Sequence, residues 1–371
     1  MVRAVDAADF ERLGIYDPAA PGAEDRLRLL TFLAEAGAAE DELAAAAAAG
    51  RLGGLATELA IRRGAATLDF TALAERAGLE RDTAARFWMA LGFADPDVVA
   101  PRLSAAEADA VKGLLGLGKE LFGEQMSLGI ARTAGGAASR LAEALVDALR
   151  VEYEMPRLAA GEDYSSVIAY FVRLIDRELD VFLSAFGAVL RRHIQLVASG
   201  RWSFDEQAGT ARRDLVVGFV DMAGYTALSR TLHPREFSQL VDRFESVVAD
   251  AVSRRGGRLV KLIGDGAMVA STDAAEACRL ARELVDAFAA APDLPEVRVG
   301  LAAGQVIAML GDYFGEVVNL AARLVAIAET SAVVVSEDVR GAAGDGFDFE
   351  PVALDELKGF TEVPRAYRLT V

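Results

Sequence analysis

Apolar positions recur at three- and four-residue steps through the first half of the chain. From Ser165 to about Ala198, Ile168, Phe171, Val172, Ile175, Leu179, Phe182, Phe186, Val189 and Leu190 fall on one stripe, which predicts a long amphipathic helix. Ala-rich stretches such as Ala44 to Ala49, with few β-branched runs, extend the helical reading over residues 1–199, an all-α N-terminal domain. The periodicity then stops in a polar, Gly-containing stretch, which predicts a linker at 200–212.

From residue 213 the pattern changes to short apolar runs alternating with amphipathic helices. Strands are expected at Leu215–Val220, Leu259–Ile263, Ala267–Ala270, Val297–Ala302, Val306–Leu310, Ala332–Val335, Phe347–Val352 and Arg365–Leu369. Helices are expected at Pro234–Arg254, Ala274–Ala290 and Gly315–Ala328. This mixture predicts an α/β sandwich with one sheet over 213–371. Gly264-Asp265-Gly266 between two β runs is a hairpin signal and puts Asp265 at its tip.

Charge narrows the partners. The formal net charge of −17 is shared about evenly between the two halves, which disfavours a nonspecific grip on nucleic acid or anionic lipid. Phe70 to Leu91 has a helix-turn-helix cadence with Gly78 at the turn, so a DNA-binding regulator is a competing reading. Against it, residues 66–110 hold four arginines and no lysine beside eight acidic residues. The single cysteine, Cys278, rules out an intrachain disulfide and fits a reducing, cytoplasmic setting. No membrane span is expected, because the charge-free run Val181–Leu190 is only ten residues long, and the N-terminus carries no signal-peptide core. Seven glycines lie among apolar residues from Gly113 to Gly136, a composition that allows either close helix packing or a gap for an apolar ligand.

Two carboxylates stand at strand exits, Asp221 in Phe219-Val220-Asp221-Met222-Ala223-Gly224-Tyr225-Thr226 and Asp265 in the hairpin. Each alone reads as a turn former. Together, on neighbouring strands, they suit Mg²⁺ or Mn²⁺ bound to a substrate phosphate. Gly224 and the small Ala223 after Asp221 leave room for backbone N–H groups to approach phosphate oxygens. Lys261 is the odd residue in an apolar strand, either an outward-facing lysine or a cleft-lining base reader. Asn319 and Arg323, four apart, share one face of an otherwise apolar helix.

On these residues the chain resembles the class III nucleotidyl cyclases. The stretch Phe219 to Thr226, the step of 44 residues from Asp221 to Asp265, Lys261 four residues before Asp265, the spacing of Asp312, Asn319 and Arg323, and Lys358-Gly359 all match that family's pattern. The resemblance covers about residues 213–371 and implies a ferredoxin-like (palm-type) catalytic domain. The helical half looks, more loosely, like the regulatory region of actinobacterial adenylyl cyclases. Palm-type dinucleotide cyclases share the sheet topology, but their Gly-Gly-acidic-Glu-Phe signature is absent from Ile263-Gly264-Asp265-Gly266-Ala267.

Carried over, the resemblance makes Asp221, Met222 and Asp265 the holders of two Mg²⁺ or Mn²⁺ ions. Asn319 and Arg323 become catalytic; Gly224, Tyr225, Thr226, Lys261, Asp312 and Lys358 bind substrate. Lys261 and Asp312 offer a donor and an acceptor that complement N1 and N6 of adenine, so ATP is the expected substrate and cyclic AMP the product. The metal set and the Lys/Asp/Asn/Arg set come from opposite subunits in the family, which implies a head-to-tail homodimer with two sites. Tyr225 stands where the family commonly has Phe, and only 47 residues separate Asp265 from Asp312, a compact segment. Of two histidines, His233 precedes Pro234 and reads as a helix start, whereas His193 sits beside Arg191 and Arg192 just before the linker. Imidazoles change charge between pH 5 and 8, so His193 is the candidate pH sensor of the N-terminal half.

Overall fold

The computed structural model describes residues 6–62, 68–101, 103–199, 212–353 and 364–370. The chain divides into two compact units, Met1–His193 and Ile194–Val371. Lys358 and Gly359 lie outside the described residues, as does the expected linker except Arg212, which already belongs to the first strand.

The first unit is helical: α1 (Ala7–Arg12), α2 (Ala23–Glu35), α3 (Glu40–Ala48), α4 (Leu52–Ile61), α5 (Phe70–Ala77), α6 (Arg81–Ala90), α7 (Ala105–Leu149), a π turn at Arg150–Glu154, α8 (Met155–Ala159) and α9 (Tyr164–Ala198). Its larger core gathers Phe10, Leu30, Leu33, Leu43 and Leu55 with Ile168 of α9. The Gly113–Gly136 stretch lies within α7, broken at Gly123 (φ 72°, ψ 168°). At Gly135 it packs closely, since a Cβ there would meet the Leu91 carbonyl oxygen at 2.2 Å. Open apolar space lies elsewhere: a cleft of about 600 Å³ runs between α4, the Ala142–Arg150 part of the chain and α9, with Phe171 and Leu145 among its walls.

The pair α5–α6 does form a helix-turn-helix with Gly78 left-handed at its turn (φ 66°). Its arginines are spent on acids: Arg76 on Asp109, Arg81 on Asp97 and Arg86 on Glu124. Guanidinium groups so neutralised give no footprint for a phosphate backbone. By length and composition alone α9 could cross a membrane, the one such helix among the described residues, a property that core helices of soluble proteins share. The apolar stretch tolerates a few flanking charges and so extends beyond Val181–Leu190.

The second unit contains β1 (Arg212–Met222), α10 (Tyr225–Leu228), α11 (Pro234–Arg254), β2 (Arg258–Ile263), β3 (Gly266–Ser271), α12 (Ala274–Ala289), β4 (Val297–Met309), β5 (Asp312–Phe314), α13 (Glu316–Ile327), β6 (Val333–Ser336), α14 (Glu337–Ala343), β7 (Asp348–Val352) and β8 (Ala366–Thr370). The sheet order is β2-β3-β1-β4-β6-β8-β7, with β5 paired to β4. All neighbours are antiparallel except β4 and β6. Strand alternation sorts the core into two layers. Val216, Val220 and Met222 of β1 face α11, α12 and α14, where the Phe244 and Phe288 rings meet tilted, with centroids 5.5 Å apart. Leu215 and Val217 face α13 through Ala321 and Leu324. Cys278 is fully buried in the first layer, and burial pushes its thiol up to about 12.

Two expected strands, Val297–Ala302 and Val306–Leu310, are one. Gly304 (φ 144°) holds a backbone conformation that other residues rarely adopt, and the ladder with β1 runs through it unbroken from Met222↔Val297 to Arg212↔Ile307. Gly300 in the same strand lets α13 approach backbone to backbone, because a Cβ there would lie 2.2 Å from Val325 N and 2.7 Å from the Ala321 carbonyl oxygen. Gly300→Ala is therefore expected to destabilise the unit by about 1–3 kcal/mol through overpacking. A melting temperature within about 1 °C of wild type would show that α13 can slide off at no cost.

Candidate active site

Asp221 ends the apolar run of β1 and pairs across the ladder with Gly266, the residue after Asp265. The Gly264-Asp265 turn (Gly264 φ 59°) closes the β2–β3 hairpin at Ile263↔Gly266. The Met222 N–H donates to the Asp265 carbonyl oxygen at 3.1 Å, so the two carboxylate-bearing backbones are tied at one end of the sheet. Both residues are partly buried.

Arg298 of β4 lies directly opposite Asp221 in register and donates from Nε (2.8 Å) and Nη2 (2.7 Å) to the same oxygen, Oδ2. Sequence reasoning missed this arginine. In Val297-Arg298-Val299 it reads as an ordinary outward strand position, and only the β1–β4 register reveals its partner.

The donor set suits a hard divalent cation. Asp221 keeps Oδ1 clear of Arg298, and Gly266 keeps the flank open, since a Cβ there would come within 3.6 Å of that oxygen and 2.7 Å of the Val220 carbonyl oxygen. Asp221 and Asp265 therefore offer oxygen ligands of the kind Mg²⁺ and Mn²⁺ prefer. Among the described residues no group of three or more His, Cys, Asp or Glu side chains converges, so any metal here rests on two carboxylates, backbone oxygen and substrate.

Beyond Met222 the chain turns at Gly224 (φ 73°) into α10. The Ala223 N–H is committed to the Glu296 carbonyl oxygen at 2.8 Å, so only amides from Gly224 onward are left for a phosphate. Tyr225 is anchored: its ring packs at 5.7 Å from Phe237 of α11. Thr226 belongs to α10, and its side chain lies outside the described set.

Lys261 on β2 and Asp312 at the start of β5 form an ion pair within the chain. The Asp312 carboxylate also accepts the Tyr313 N–H at Oδ1, 2.8 Å away. Asn319 and Arg323 are both exposed on the same face of α13, and among the described residues no ion pair engages Arg323. His193 is exposed near the end of α9, five residues before its last.

A profile of the adenylate and guanylate cyclase catalytic domain matches residues 210–370. An uncharacterized protein of Mycobacterium tuberculosis H37Rv is 36% identical, with 98% of this chain and 95% of the relative covered. An adenylate cyclase of Streptomyces coelicolor is 38% identical, covering 71% of this chain and 68% of the relative. Among solved structures, the adenylyl cyclase CyaB from P. aeruginosa is 22% identical, with a TM-score of 0.38 over 43% of this chain and 95% of that one. With the catalytic-domain profile matched and a cyclase 38% identical over two thirds of its length, the chain belongs to the class III adenylate and guanylate cyclases.

Proposed function

We propose that the chain is an adenylate cyclase that converts ATP to 3′,5′-cyclic AMP and pyrophosphate. The observation that carries this reading is the pairing of Lys261 with Asp312. It places an ammonium donor beside a carboxylate acceptor, so one edge of adenine can reach both: Lys261 donates to N1 and Asp312 accepts from the N6 amino group. Guanine would present a donor to the lysine and an acceptor to the carboxylate, leaving charged groups unpaired, the mismatch that gives strong discrimination.

Asp221, Asp265 and the Met222 backbone carbonyl would hold two divalent ions, Mg²⁺ or Mn²⁺. Bound there, such ions neutralise triphosphate charge and acidify the ribose 3′-hydroxyl. Arg298 fixes the orientation of Asp221 by occupying Oδ2. Arg323 neutralises the charge that develops on the α-phosphoryl oxygens, and Asn319, one helical turn away, orients the ribose. Lys358 contacts the terminal phosphates, while Gly224, Tyr225 and Thr226 form the turn beneath them. Assay of the purified full chain with ATP and Mg²⁺ or Mn²⁺ should yield cyclic AMP and pyrophosphate in equal amounts. A chain that binds ATP yet makes neither product would overturn the reading.

The site is shared between two copies of the chain. Exposed Ile263, Ile307, Met309 and Phe314 near the site residues support this, since apolar groups clustered on one surface mark association. The helical unit regulates the cyclase in the cytoplasm, and its apolar cleft offers room for an apolar ligand. Its α9 is read as a helix of this unit and not as a membrane span: Val167, Ile168 and Ile175 in its first half are buried in the protein, while the apolar stretch that follows them is not. Nucleic acid plays no part.

His193 is proposed as the regulatory group. An imidazolium there would stand beside Arg191 and Arg192 near the end of α9. Activity of the full chain should change several-fold between about pH 8 and pH 6, and His193→Ala should flatten that response. An unaltered profile in His193→Ala would assign the pH dependence to the chemistry itself.

A further inference from the structure

A second cation on β2 reaches the same turn as Lys261. Arg258 donates from Nη2 to the Gly311 carbonyl oxygen (2.9 Å) and from Nη1 to the Tyr313 hydroxyl (3.1 Å). Its guanidinium lies 5.5 Å from the Tyr313 ring centroid. One side chain thus grips the residues on both sides of Asp312.

In a regular strand, residues three apart point to opposite faces. Arg258 and Lys261 escape that rule because the β2–β3 register shifts between Leu259 and Lys261, where Val260 is the extra residue of a bulge. The bulge puts both cations on the side of the β4–β5 hairpin. That hairpin needs support: Met309↔Asp312 closes a two-residue turn in which Leu310 (φ 53°) and Gly311 (φ 87°) are both left-handed. Turns of this type favour Asn, Asp or Gly at the first position, and leucine there is strained. Tyr313 is anchored in the core at 2% exposure, so the Arg258 clamp joins a fixed point to the strained one.

We infer that Arg258 is a positioning residue for purine selection, holding the Leu310-Gly311 turn so that Asp312 meets Lys261 at the spacing an adenine edge requires. The inference rests on the reading of Lys261 and Asp312 as the base-contacting pair. Without the clamp the turn relaxes and Asp312 loses its fixed offset from Lys261, while the metal-holding carboxylates and Arg323 keep their places. The defect should therefore fall on nucleotide recognition rather than on the chemical step.

The test is steady-state kinetics of the full chain with ATP and GTP for Arg258→Met, Arg258→Lys, Tyr313→Phe and, as the control for the underlying reading, Asp312→Ala. Arg258→Met should raise KM for ATP about tenfold, change kcat by less than about threefold, and lower the ATP-over-GTP ratio of kcat/KM about tenfold. Arg258→Lys, whose single ammonium cannot bridge both acceptors, should fall between wild type and Arg258→Met. Tyr313→Phe removes one acceptor and keeps the ring in the core, so it should shift the ratio in the same direction by a smaller factor. It also decides the matter if Arg258→Met fails to fold. Should both variants leave the ATP-over-GTP ratio within about twofold of wild type while Asp312→Ala alters it, the inference is wrong and the base-reading assignment stands. An unchanged ratio in Asp312→Ala would instead remove the assignment on which the inference rests.

Discussion

Asp265→Ala is expected to lower turnover by about 10²- to 10⁴-fold, the range set by the several kcal/mol a catalytic metal supplies. The substitution removes a carboxylate but not the turn. Asp265 has an ordinary negative φ, unlike Gly264 beside it, and the interaction that ties the hairpin to β1 runs from Met222 N–H to the Asp265 backbone carbonyl. Alanine keeps both features, so stability should stay within about 0.5 kcal/mol of wild type, as for a surface change. Loss of activity with an intact melting transition therefore isolates metal holding from folding. Asp265→Asn, which retains one uncharged oxygen ligand, should fall between the two. A purified Asp265→Ala protein that kept more than about a tenth of wild-type turnover would remove Asp265 from the metal site.

Mixing two inactive proteins should restore activity. Asp221→Ala spoils only the metal-holding half of a shared site, and Arg323→Ala only the half that stabilises charge at the α-phosphorus. In a two-fold dimer carrying one of each, one site collects both lesions and the other collects none. With random exchange at equal concentrations, half the dimers are mixed and half their sites intact, so roughly a quarter of wild-type specific activity should return. Recovery should depend on subunit exchange and vanish if each variant is cross-linked to itself beforehand. Absence of recovery despite demonstrated exchange would place the complete site within one chain. Asp221→Ala should be judged with its neighbour in mind, since it frees the Arg298 guanidinium that occupied Oδ2. Arg298 is only one-third exposed, so the freed cation adds to the defect of that half-site.

Much of the catalytic fold is legible from the chain because its signals are local. β3 is buried along its whole length and reads as an apolar run from Ala267 to Ala270, while α11 announces itself by Pro234 at its first position and a sharply amphipathic face. The Gly264-Asp265 turn follows from its residues alone. What escapes is register. Arg298 and Arg258 are unremarkable as single outward residues; their meaning appears only when β1 lies against β4 and when a bulge at Val260 swings β2. The join of two apparent strands into β4 escapes for a related reason, since Gly304 looks like a break until the long ladder with β1 shows the strand running through it. In the helical unit, glycine content pointed to Gly113–Gly136, whereas open apolar space falls where α4 and α9 meet the end of α7. Composition marks where helices can approach, not where they fail to.

Cys278 is fully buried and burial pushes its thiol up to about 12, so it is expected to react with thiol reagents at neutral pH far more slowly than an exposed cysteine. No native cysteine need be removed before labelling. A cysteine placed at exposed Ser139 on α7 and another at exposed Ser246 on α11 would be the two reactive thiols of the chain, one in each unit. A donor and acceptor dye pair at those positions would then report, in real time and with Cys278 left in place, how the separation of the units responds to acid, nucleotide or an apolar additive.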